Sequence, residues 1–155
     1  MPTDDDAALA RLLDQHVDDL LTLLGDWPED QVKSSVVASM RQSVDRVLAS
    51  ADDTALRTAA GLLVDVVWWM HTSSDEDLDE WGVGNLLESS AAFLQELPDD
   101  RRHRLIETLD ALAAAEPHDT RRYELRSFAY AMGLRDTEPA EPEPLARAYV
   151  KPEDR

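Results

Sequence analysis

The sequence predicts an all-α fold, with about six helices in a compact antiparallel or orthogonal bundle followed by a disordered, proline-rich C-terminal tail. Glycine is scarce at 5 of 155 residues, and most of the 8 prolines fall between periodic segments or beyond them. No stretch alternates apolar and polar residues for long, whereas apolar residues recur at spacings of three and four. A short stack of helical hairpins is the alternative arrangement, and no internal repeat selects between the two. The expected organisation is one helical domain over 1–134 and a Pro/Glu-rich tail over 135–155. A chain of this length buries roughly 70% of the surface that its unfolded form exposes, enough for a single core.

The first helix is expected from about Asp4 to Leu24, on a stripe of Leu9, Leu12, Leu13, His16, Val17, Leu20 and Leu24. Asp4, Asp5 and Asp6 favour the positive end of its dipole, and Gly25 suits its left-handed stop. Pro28 fits the first turn of a second helix reaching about Ser50, with Val32, Val36, Val37, Met40, Val44, Val47 and Leu48 on one face. Its valines lose side-chain freedom in a helix, so packing must hold this segment. Asp52 or Asp53 caps a third helix running through about His71. From Leu56 to Met70 it is apolar nearly all round, which predicts the central helix.

Residues 72–83 lack periodicity and read as a loop with at most one helical turn around Leu78. Gly84 or Asn85 opens a fourth helix carrying Leu86, Leu87, Ser90, Ala91, Leu94 and Leu97. Pro98 starts a fifth, to about Glu116, with Leu105, Ile106, Leu109, Leu112 and Ala113 inward. Asp119 caps a sixth, built on Tyr123, Leu125, Phe128, Ala129 and Met132 and stopped by Gly133. Beyond it, Pro139, Pro142, Pro144 and Pro152 stand among Glu and Ala, the composition of an extended, mobile tail. The one apolar run there, Leu145 to Val150, is suited to docking on a groove.

The formal net charge of −18 is concentrated along the chain. Residues 1–30 hold 9 acidic side chains and 1 basic one, and residues 72–100 hold 9 acidic and none basic. A nearly neutral, apolar centre over 31–71 separates these two blocks. Such an excess repels phosphate backbones and anionic lipid, which disfavours nucleic acid and membrane surfaces as partners. The chain has no cysteine, excluding disulfides, thiolate metal sites and cysteine nucleophiles. The acidic N-terminus is unlike a signal peptide, and the longest apolar stretch is too short to cross a bilayer, so the expected location is cytoplasmic. Lysine occurs only as Lys33 and Lys151 while Arg, Ala, Leu and Asp abound, the bias of a GC-rich bacterial genome.

Catalytic and metal motifs are weak throughout. Asp75-Glu76-Asp77-Leu78-Asp79 begins like a calcium loop, but Glu80 stands where the turn needs glycine and Leu86 where a bidentate glutamate closes the site. His16, His71, His103 and His118 form no Glu-x-x-His or His-x-x-x-His pair. His16 reads as a boundary core residue and His71 as a helix C-terminal cation. Gly82-Val83-Gly84 lacks the spacing and the lysine of a phosphate loop. Asp65 lies mid-helix among apolar residues and requires a partner, for which Arg41, Arg46 and Arg57 are the sequence candidates. The clusters Arg101-Arg102-His103-Arg104 and Arg121-Arg122 read as ion-pair partners for acidic surfaces. No catalytic residue, metal ligand set or cofactor is therefore assigned.

The stretch from Leu86 through Leu97-Pro98-Asp99-Asp100-Arg101 to Gly133-Leu134 resembles the C-terminal half of small all-helical bacterial proteins. Several of those are uncharacterised or look like immunity proteins of toxin systems. The resemblance implies a helical protein that works by binding, and it transfers no functional residue. The leading expectation is a non-enzymatic, immunity- or inhibitor-like protein that binds a basic surface of a protein partner, such as a toxin. The acidic loop 72–85 and the first helix would make the contact, with Asp75, Glu76, Asp77, Asp79, Glu80 and Trp81 as the binding residues. One alternative is a carboxylate-based metal protein or enzyme using Asp65, His71 and the Asp75 to Glu80 run. Another is an assembly subunit whose tail docks on a second copy. The oligomeric state is not specified by the sequence.

Overall fold

The computed structural model describes residues 4–25, 31–49, 55–72 and 80–155. These form six α-helices with no strand among the described residues: α1 (Asp4–Gly25), α2 (Gln31–Ala49), α3 (Ala55–Thr72), α4 (Glu80–Gln95), α5 (Asp99–Ala115) and α6 (Asp119–Ala131). The all-α reading holds, and α3 is the central helix. It packs against α1, α2, α4, α5 and α6. Leu63, Val64, Val66, Trp68 and Met70 are all buried, so its apolar residues cover several faces at once. Both Trp68 and Trp69 lie inside. No helix of the described residues is long and apolar enough to cross a membrane.

Local chemistry explains the ends of α5 and α6. α5 begins after Pro98 with Asp99 and Asp100 in its first turn, and it ends where Glu116, preceding Pro117, turns extended. Residues 116–118 are the whole connection to α6, which makes the two helices a hairpin. The sequence assigns the α6 cap to Asp119. The structure gives it to His118, whose Nδ1 accepts the backbone N–H of Arg121 at 3.3 Å. At the other end Gly133 adopts φ +73°. Leu134 N–H then donates to Ala129 C=O and Gly133 N–H to Tyr130 C=O, closing the last turn with the paired bonds that only a left-handed residue permits.

One segment reading is corrected. The loop expected through Val83 ends sooner, because α4 already begins at Glu80 and Val83 is buried within it. Gly82 and Gly84 are tolerated inside a helix whose apolar face packs on the core.

The tail contacts the bundle. Residues 135–155 have no regular structure beyond a single 3₁₀ turn at Pro152–Asp154, as their prolines dictate, yet they lie along α6 and reach α3. Arg126 pairs with Glu141 at 2.5 Å, Thr120 Oγ1 donates to Ala146 C=O at 3.1 Å, and the Trp68 indole N–H donates to Arg147 C=O. Tyr149 stands edge-on to Trp68 with ring centroids 5.1 Å apart. Composition counts the shortage of apolar residues but cannot register that the few present meet matching groups on the bundle. Leu145, the first residue of the expected docking run, is fully exposed.

Candidate functional site

Of the expected binding residues, Asp75, Glu76, Asp77 and Asp79 lie outside the described residues. Glu80 and Trp81 form the first two positions of α4. The acidic residues of α1 divide by role. Asp4, Asp5 and Asp19 are exposed, Asp6 pairs with Arg104 at 2.9 Å, and Asp18 pairs with Arg41 at 3.1 Å. Asp14 is buried at 2% exposure, and its Oδ1 has no hydrogen-bond partner. Burial pushes its carboxyl up to about 7.

Asp65 is paired, but none of the three sequence candidates supplies the cation. Arg121 from α6 reaches Oδ1 at 3.1 Å and Arg155 from the tail reaches Oδ2, also at 3.1 Å. Arg121 also holds Glu116 at 2.5 Å. Burial works to raise the Glu116 carboxyl, but the bond from Arg121 and the His118 backbone N–H bring it below the usual carboxylate range. Burial likewise opposes the charge on Arg121, and Asp65 and Glu116 more than compensate. The guanidinium crosses α3 at Gly61, where a Cβ would stand 2.9 Å from Nη2. Arg155 further lies 5.9 Å from the Trp68 ring and donates through Nε to Val150 C=O at 2.9 Å. Beside this network burial pushes the Tyr149 phenol up to about 12, with the charge of Asp65 adding to the rise. Asp65 is thus enclosed by two guanidinium groups, the arrangement of a structural charge.

The histidines separate in the same way. His16 Nε2 lies 2.9 Å from the buried Ser90 hydroxyl, and its ring stacks on Phe93 at 4.4 Å, tying α1 to α4. Burial lowers its basicity, with Asp19 opposing. His103 is exposed near Glu107, and His118 caps α6. His71, at the end of α3, borders a cavity that Asp65 does not line. Among the described residues, no group of three or more His, Asp or Glu side chains could hold a metal ion. The arginine clusters act as the sequence suggests: Arg102 pairs with Asp99, Arg104 with Asp6, and Arg122 with Asp119.

The cavity bordered by His71 was not foreseen from the sequence. It has a volume of about 450 Å³ and lies between the end of α3, α4, α6 and the returning tail. Val67, Leu87, Ala91, Phe128 and Met132 give it apolar walls, while Tyr123, Glu124, Tyr130 and Arg147 supply polar and aromatic groups. Glu124 is its deepest charge, with a side chain only 9% exposed. Arg147 directs Nε and Nη2 to the same oxygen, Oε1, at 2.9 and 2.8 Å. Its Nη1 is bound to Glu143, and its guanidinium stands 5.3 Å from the Tyr123 ring centre. Burial raises the Glu124 carboxyl despite the pairing with Arg147. The only sequence signal for this site was the tail run Leu145 to Val150, which contains Arg147 without marking it.

A scan of family models and searches of curated proteins and of solved structures find no match to this chain.

Proposed function

We propose that the protein works by binding rather than catalysis, recognising a basic surface on a protein partner in the manner of an immunity or inhibitor protein. The acidic segment 72–85 and the exposed acidic residues of α1 make the contact, and Trp81 at the head of α4 serves as its apolar anchor. One observation carries this reading. Residues 1–100 hold 22 acidic and 5 basic side chains, whereas residues 101–155 hold 11 and 10. In the second part Arg102, Arg104, Arg121, Arg122, Arg126, Arg135, Arg147 and Arg155 each lie against a carboxylate of the same chain. Those cations are committed, and the acidity of the first part stays largely uncompensated. A field of one sign speeds encounter with a surface of the opposite sign and rejects partners of like charge.

The test is capture of the partner from the cell that makes the protein, followed by reconstitution with purified components. Wild type is compared with a variant carrying Asp75→Lys, Asp77→Lys and Glu80→Lys. A basic partner whose retention weakens with added salt and disappears in the variant supports the reading. Undiminished binding by the variant removes this segment from the interface.

A further inference from the structure

We propose that the cavity between α3, α4, α6 and the tail is a binding site for an organic monocation with an apolar body, of the arylalkylammonium class. Its volume of about 450 Å³ falls in the range of small-molecule sites, and its walls are largely apolar. The argument rests on Glu124. Both donors that Arg147 sends to it converge on Oε1, and Oε2 accepts no hydrogen bond. A carboxylate more than nine-tenths buried therefore borders an apolar cavity with one oxygen open to a donor. A donor that enters the cavity and reaches Oε2 gains a charge-assisted bond.

The surroundings select the sign of the ligand. Glu88 and Glu138 stand on the same lining with His71 at its edge, and the positive charge of Arg147 is already shared among Glu124, Glu143 and the Tyr123 face. Phe128, Tyr123 and Tyr130 add aromatic surface, which attracts a cation at its face and an apolar body by contact. The net charge of −18 adds a field that concentrates cations and excludes anions. Arg147 shows the chemistry in miniature, since a cation of the chain itself rests between a carboxylate and an aromatic ring at the edge of this cavity.

The test is an NMR titration of the full chain with phenethylamine, with phenethyl alcohol as its neutral counterpart and hydrocinnamate as its anionic one. Phenethylamine is expected to saturate at one site, shifting the amides of Val67, Ala91, Ser127 and Ala131. The alcohol should bind at least about tenfold more weakly, and hydrocinnamate should not bind. Glu124→Gln, which keeps the shape and removes the charge, should lose about tenfold or more. Ala91→Leu narrows the cavity without touching Glu124 and should also weaken binding, which covers the case in which Glu124→Gln disturbs the tail. The triple lysine variant of the acidic segment should still saturate at this site, with at most the small loss that its reduced net charge brings, which separates this site from the partner surface. The proposal is overturned if the alcohol matches the amine, if shifts spread along the acidic residues without saturating, or if Glu124→Gln and Ala91→Leu both bind undiminished.

Discussion

Asp14 in α1 and Asp65 in α3 are buried carboxylates of one helical core, at 2% and 7% exposure, and the molecule treats them in opposite ways. Around Asp65, α6 and the tail bring in two guanidinium groups, one on each carboxyl oxygen. Around Asp14 one oxygen has no hydrogen-bond partner, and burial raises the carboxyl to about 7. The first region recruits cations from distant parts of the chain; the second leaves its carboxyl without one among the described residues, and burial favours the protonated form. A buried ion pair adds little over an apolar packing of equal volume, but breaking one leaves a stranded charge. The Asp65 region should therefore be sensitive to loss of a partner, and the Asp14 region should gain from loss of the acid.

The largest effect is expected from deleting residues 135–155. Asp65 and Glu124 each lose an arginine, and Trp68 loses both its hydrogen-bond acceptor and Tyr149. Denaturant unfolding should show a loss of about 3–5 kcal/mol with a red-shifted tryptophan emission, while the helical circular dichroism changes little. Stability equal to that of the full chain would show that the tail does not hold the core.

Next comes Arg121→Met, which strips one partner from Asp65 and the guanidinium from Glu116. Urea unfolding should register a loss of about 3 kcal/mol, because Arg155 remains on Asp65.

Asp14→Leu should act in the reverse direction, raising stability at pH 8 by about 1–2 kcal/mol. The pH profile gives a second readout. The unfolded carboxyl titrates near 3.8 and the folded one near 7, so between these values the unfolded chain has released a proton that the native state still holds. Rising pH over that window favours unfolding, and the decline flattens above about 7. Asp14→Leu should abolish this part of the slope, and a profile identical to wild type would exclude Asp14 as its source.

The smallest change is Gly61→Ala. Alanine improves the helix by about 1 kcal/mol, but its Cβ would crowd Arg121, so the two effects should nearly cancel. In the Arg121→Met background the crowding is gone, and the same substitution should stabilise by about 1 kcal/mol. Equal effects in both backgrounds would show that the glycine is not there to admit the arginine.

Much of this architecture was legible in the residues. Leu9, Leu13, Val17, Leu20 and Leu24 recur on one face and are all buried, and the apolar run from Leu56 to Met70 became the central helix. Gly133 ended α6 as its type suggested. The beginning of α4 was less clear, because residues 72–83 lack the apolar periodicity that marks the other helices and packing holds its first turn. The partners of Asp65 could not be found by proximity in sequence. Arg41, Arg46 and Arg57 are close along the chain, yet the cations come from 56 and 90 residues away.

The sequence by itself determined the helices, their inward faces and the division of charge, because periodicity and composition act over three or four residues or sum over a segment. Tertiary structure decided which cation answers which buried acid, that a proline-rich tail lies on the bundle, and that a cavity forms beside Glu124. Those outcomes depend on distances of a few ångströms between residues far apart in the chain, where desolvation makes each charge costly until a partner arrives.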